Sequence, residues 1–91
     1  MSILPVPAKT YFSDFAFDLI EFKIQRDGQT VLTAKGLKNK ENGKHYVSFF
    51  YGTDVQAGDY LISDDETLCV IELLTDTYNG EKQLINAVYR P

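Results

Sequence analysis

The chain has 91 residues, 44% apolar and 24% charged, which supports one hydrophobic core, leaves no room for a second domain and excludes a disordered protein. Its formal net charge of −4 argues against nucleic acid as a partner, because a phosphate-binding surface needs an excess of Lys and Arg. The single cysteine, Cys69, excludes a disulfide framework within the chain.

Taken in order, residues 1–10 contain Pro5 and Pro7 and read as an extended arm, and residues 11–91 as one domain. The start Met1-Ser2-Ile3-Leu4-Pro5 has neither the basic segment nor the apolar stretch of a signal peptide, and no run is long enough to span a bilayer. The expectation is a soluble protein of a reducing compartment, the bacterial cytoplasm or a virion, with no membrane partner. In the next segment, Phe12, Phe15, Ala16, Leu19 and Ile20 recur at helical spacing, while Phe15, Phe17 and Leu19 also alternate as in a strand. With Ser13 available as a cap, one or two helical turns leading into a strand near Glu21 is the favoured reading.

Beyond that point the chain is punctuated by tight-turn dipeptides between segments rich in β-branched and aromatic residues. Asp27-Gly28 separates Phe22–Arg26 from Gln29–Ala34, and Asp-Gly accepts the positive φ angles of a two-residue hairpin turn. Asn42-Gly43 does the same between Gly36-Leu37-Lys38 and His45–Tyr51, where the lysine-rich approach leaves room for a longer loop. The stretch Gly52–Asp59 is too long for a tight turn and reads as a corner between two parts of a barrel. A fourth reversal falls at Ser63-Asp64-Asp65-Glu66-Thr67, and Asn79-Gly80 supplies the last hairpin, between Cys69–Leu74 and Gln83–Tyr89. Successive antiparallel neighbours of this kind predict a mostly β protein: a small antiparallel β-barrel, SH3-like or OB-like, of five or six strands with one short amino-terminal helix.

Catalysis by a nucleophile needs a base and an orienting group nearby. The only histidine, His45, follows a turn and reads as a solvent-exposed strand residue; Cys69, between Leu68 and Val70, reads as a packed core thiol. Asp54, Asp59, Asp64, Asp65 and Glu66 lack the ligand spacing of a calcium loop and read as a solvated acidic turn, and one Cys with one His cannot make a structural zinc site. No nucleotide fingerprint is present. The expectation is a protein without catalytic residues, metal or cofactor.

Two features point to binding. In Tyr46–Tyr51, Val47, Phe49 and Tyr51 point one way and Tyr46 and Phe50 the other, so the face that does not line the barrel is covered by the amino-terminal segment, by a partner subunit, or by nothing, the first two being favoured equally. Lys35, Lys38, Lys40 and Lys44 surround the second hairpin, while Asp64, Asp65 and Glu66 occupy the fourth reversal. Charged loop tips ordinarily serve solubility alone. The sharper alternative sets the basic loop of one copy against the acidic loop of the next, a heterologous contact that can close into a ring. The candidate interface is therefore Lys38, Lys40, Lys44, Tyr46, Phe50, Asp64, Asp65 and Glu66.

The carboxy-terminal half, Val55-Gln56-Ala57-Gly58-Asp59-Tyr60-Leu61-Ile62 followed by Leu68-Cys69-Val70-Ile71 and Leu84–Tyr89, resembles the small head-tail connector or neck proteins of tailed phages and prophages. That resemblance implies a non-enzymatic structural or adaptor protein whose copies assemble into a ring. A monomeric OB-like or SH3-like module, holding a peptide or a single strand of nucleic acid on Tyr46, Phe50 and Tyr51, is the alternative expectation.

Overall fold

A computed structural model describes residues 2–91, with side chains from residue 4 onward. The elements run β1 (Ser2–Ile3), α1 (Ala8–Asp14), a 3₁₀ turn (Ala16–Asp18), β2 (Ile20–Arg26), β3 (Gln29–Glu41), β4 (Lys44–Phe50), β5 (Tyr60–Ile62), β6 (Thr67–Tyr78) and β7 (Glu81–Tyr89). The strands lie in the order β6-β5-β2-β3-β4-β7, and β7 pairs back onto β6, which closes a six-stranded antiparallel barrel.

The three Asx-Gly dipeptides are the hairpin turns that the sequence predicts. Asp27 and Gly28 have φ of 55° and 78°, and the Asn42-Gly43 and Asn79-Gly80 turns repeat these angles within a few degrees. Two successive positive φ values give the turn that matches the right-handed twist of paired strands. Asn42-Gly43 joins β3 directly to β4, so no longer loop forms there.

Closure depends on two long strands that each change partner. The segments 29–34 and 36–38 form one strand, β3, which pairs with β2 as far as Gly36 and with β4 from Leu37 onward. The switch falls on Gly36 for a steric reason. A Cβ there would lie 2.5 Å from Val47 Cγ1 and 2.8 Å from Phe49 Cε1, so the strand can press against the core only without a side chain. On the opposite side β6 passes from β5 to β7 at Val70, and a bulge between Val70 and Glu72 bends it.

Alternation then decides what is inside. Phe22 and Ile24 of β2, Val47 and Phe49 of β4, Leu61 of β5, Leu68 and Val70 of β6 and Ala87 and Tyr89 of β7 fill the interior, with Val55 closing one end. Because Leu68 and Val70 both point inward, the residue between them must point out. Cys69 is accordingly exposed, which corrects the expectation of a core thiol: its apolar flanks are two inward neighbours with one outward position between them. His45, expected in solvent, is half-buried, its ring centroid 6.0 Å from that of Tyr89.

The amino-terminal segment also departs from expectation. Residue 1 lies outside the described residues, and the remainder is not a free arm: β1 pairs in parallel with Asp76 and Thr77 of β6, and the helix begins at Ala8. Pro7 sits at the helix start, where a residue lacking an N–H does no harm, and its carbonyl accepts the first helical bond from Tyr11 N at 3.0 Å. No side chain of the segment caps the helix; instead Ala8 N donates to Gln83 Oε1 of β7 at 3.1 Å. Ser13, the expected cap, lies within the helix. The helix rests on the outside of the barrel, where Ala8 and Phe12 form a second core with Leu37 and Leu84.

Candidate functional site

The outer surface of β3, β4, β7 and β6 carries what the helix covers and what it leaves open. Phe12 meets Phe50 with ring centroids 4.5 Å apart, so the second face of β4 is covered by the amino-terminal segment, one of the two coverings the sequence allowed. The cover is partial, since Phe50 remains 49% exposed. Tyr51, grouped by alternation with Val47 and Phe49, has left the strand and is exposed, with Lys82 Nζ 5.6 Å from its ring centroid.

From Phe50 a line of rings runs along the helix. Phe12 contacts Tyr11 edge-on at 5.7 Å, and Tyr11 contacts Phe15 at 5.3 Å. Two residues further, on the 3₁₀ turn, Phe17 is 104% exposed, a whole aromatic side chain in water. The helical stripe read from the sequence contained Phe12 and Phe15 but not Phe17. Its signal is an apolar residue that fits the strand register while the backbone has already turned into a 3₁₀ helix, which swings it outward.

Beneath the helix edge lies a line of buried polar groups. Asn39 Nδ2 donates to Tyr11 Oη at 3.1 Å and to Ser48 Oγ at 3.4 Å. Ser48 Oγ donates to Asn86 Oδ1 at 2.7 Å, and Asn86 Nδ2 donates to Asp76 Oδ2 at 3.0 Å. Ser48, Asp76 and Asn86 are all buried. Since each donor from Asn39 onward points toward Asp76, the bonds polarise one another and converge on its carboxylate. A groove of about 190 Å³ opens beyond it, lined by Glu41, Lys44, Tyr46, Leu74, Asp76 and Asn86. In this groove the Tyr46 hydroxyl donates to Glu41 Oε2 at 3.2 Å. Burial, then the neighbouring charge of Glu41, push the Tyr46 phenol up to about 12.

The structure brings the charged candidates together differently from the proposed contact between copies. Lys38 forms an ion pair with Glu66 inside the same chain, which raises the lysine above its ordinary pKa, and its ammonium lies 5.8 Å from the Tyr89 ring centroid. Lys44 pairs with Glu72 at 2.8 Å. Both bridges are partly exposed and contribute little to stability. Lys40, opposite His45 in register, and Asp64 and Asp65, at the fourth reversal, remain exposed. Three of the six charged candidates, Lys38, Lys44 and Glu66, are thus engaged within the chain.

Asp54 and Asp59 do converge on a cation, and it is an arginine. Arg26 Nε and Nη2 grip Asp59 Oδ1 and Oδ2 at 2.9 and 2.8 Å, and Nη2 reaches Asp54 Oδ1 at 3.1 Å. Asp59 is 2% exposed, accepts a further bond from Gln56 N at 2.8 Å, and is held below the usual carboxylate range by the Arg26 guanidinium. This corrects the reading of Asp59 as part of a solvated acidic turn: it ties the Gly52–Asp59 corner to the end of β2. Among the described residues no group of three or more His, Cys, Asp or Glu is placed to hold a metal ion, and no helix is long and apolar enough to cross a membrane.

Comparison of the chain with protein-family models, curated proteins and solved structures found no match.

Proposed function

We propose that this barrel is a non-enzymatic adaptor that works through protein–protein contacts, with its aromatic ridge of Phe15, Phe17 and Phe50 as the contact surface. The observation that carries the reading is Phe17. Burying a phenylalanine side chain contributes about 1.5–3 kcal/mol, and here that contribution is left unused by the fold. Scattered apolar residues on a surface need no explanation, but Phe17 follows by two residues a run of aromatic rings whose two ends, Phe15 and Phe50, are themselves exposed. Aromatic anchors of this kind dominate the energetics of interfaces.

The form proposed for this contact is a ring of copies, supported by the likeness of the carboxy-terminal half to head-tail connector proteins. In such a ring the ridge of one copy packs on the next, and the exposed Lys40, Asp64 and Asp65 set its orientation. Sedimentation velocity over a wide concentration range tests the assembly. Wild type should associate reversibly, and Phe17→Ser should remain monomeric with an unchanged melting temperature. A wild type that sediments as a monomer at every concentration, indistinguishable from Phe17→Ser, would count against the ring.

A further inference from the structure

We infer that the groove between the β3–β4 hairpin and β6 receives the cationic end of an arginine or lysine side chain presented by a partner protein. Four observations converge on this assignment. The first is Asp76, which is only 8% exposed, accepts one hydrogen bond, from Asn86, and has no Lys, Arg or His paired with it among the described residues. A carboxylate so far removed from water is ordinarily compensated by a cation.

The second is the line of donors from Asn39 through Ser48 and Asn86. Ser48 donates to Asn86 Oδ1, so the other end of that amide, Nδ2, must face Asp76, and the carboxylate is locked in place at the groove. Asp76 itself lines the groove, so the held carboxylate borders that space.

The third is the chemistry of the walls. Glu41 supplies a second carboxylate, one oxygen of which is occupied by the Tyr46 hydroxyl, while Tyr46 and Leu74 supply apolar surface for an alkyl stem and a ring for a cation to approach. Lys44 also lines the groove, but its ammonium is drawn to Glu72 and leaves the two carboxylates unpaired. The Tyr46 phenol is raised first by burial and then by the charge of Glu41, with a smaller contribution from Asp76. The fourth is size: at about 190 Å³ the space is well below that of a site for a drug-sized ligand and suits the end of one side chain.

The groove is separate from the aromatic ridge, so failure at one leaves the other standing. The test is an NMR titration of the full chain with Nα-acetyl-arginine methylamide, its lysine counterpart and the neutral norleucine analogue, each taken to tens of millimolar, the range in which a single side-chain contact binds. The expected result is saturable shifts of the Asn86 side-chain amide and the Tyr46 backbone amide with the two cations and none with norleucine. Asp76→Asn, which still offers Asn86 an acceptor, should weaken binding at least about tenfold. Should that variant lose its dispersed spectrum, Glu41→Gln on the exposed end of the hairpin decides instead. Equal shifts with norleucine, no saturable shifts with either cation, or binding unchanged in the folded charge-removing variants would overturn the assignment. Putrescine binding more tightly than both capped amino acids would overturn the assignment of the cation to a protein.

Discussion

Replacing Gly36 by alanine tests the closure of the barrel at its tightest point. In an open strand the change would be favourable, since alanine reduces the freedom of the unfolded chain by an amount worth about 0.4–1 kcal/mol. At this position the new methyl would lie 2.5 Å from Val47 Cγ1 and 2.8 Å from Phe49 Cε1. Both neighbours are fully buried, and Val47 is β-branched, so neither can swing away as a flexible surface side chain would. Overpacking a core costs about 1–3 kcal/mol, and contacts this short against rigid neighbours draw on the upper part of that range, about 2–3 kcal/mol, so the net loss is about 1–2.5 kcal/mol. For a domain of this size that lowers the melting temperature by about 4–20 °C. Thermal unfolding followed by circular dichroism measures it. The mechanism also makes a pairwise prediction: Val47→Ala is destabilising alone, but in the presence of Gly36→Ala it opens space for the new methyl, so the double variant is more stable than the sum of the two predicts. A melting temperature for Gly36→Ala equal to or above that of wild type, or strict additivity in the double variant, would refute the reasoning.

Three further outcomes follow from the same geometry. Asp59→Asn removes the charged half of the Arg26 clasp and should cost about 2 kcal/mol by urea titration. Because Arg26 holds the Asp59 carboxyl below its unfolded value near 3.9, the unfolded chain binds the extra proton first. The stability from this pair is therefore complete above that value and is lost as the pH falls toward the folded pKa; Asp59→Asn should flatten this part of the acid-stability curve, and an unchanged slope would remove the pair from the account. Phe12→Ala should cost about 3 kcal/mol and release amide protection throughout α1, as seen by hydrogen exchange, because Phe12 is the helix's principal anchor on Leu37, Leu84 and Phe50. Cys69, on the outward side of β6, should react stoichiometrically with a thiol reagent in native buffer; a requirement for denaturant would return it to the core.

How much of this was legible in the sequence depended on the range of the forces involved. The hairpins at Asp27-Gly28, Asn42-Gly43 and Asn79-Gly80 are set by local backbone sterics, so two residues were enough to place each turn. Strand direction and the barrel class followed from them. The partner switches of β3 and β6 were hidden because they depend on what lies across the barrel; Gly36 between Lys35 and Leu37 gives no local sign that it touches Val47 and Phe49. Cys69 was misplaced because its flanks were read as a continuous apolar run, whereas strict alternation through Leu68, Cys69 and Val70 puts it outside. The helix was placed too late because its stripe was sought from Phe12 onward, while Pro7 and the contact of Ala8 with Gln83 start it earlier. Of the candidate interface, Tyr46 and Phe50 do face the outer surface, and Phe50 joins the ridge. The charged members were chosen without knowing their partners, and the pairings of Lys38 with Glu66 and Lys44 with Glu72 are long-range facts. Asn86 carried a readable sign, since it interrupts the apolar run Leu84–Tyr89 and a buried polar partner is the economical reason for it, whereas Asp76, between Thr75 and Thr77 near a turn, gave none.

The most direct test of the central claim places a photoreactive benzoylphenylalanine at position 17 and irradiates the pure protein at a concentration where association is expected. If the ridge is the contact between copies, covalent dimers and higher species form, and mass spectrometry maps the crosslink to one recurring segment of the neighbouring chain. Irradiation that yields only monomer, or crosslinks scattered over the whole surface, would contradict it.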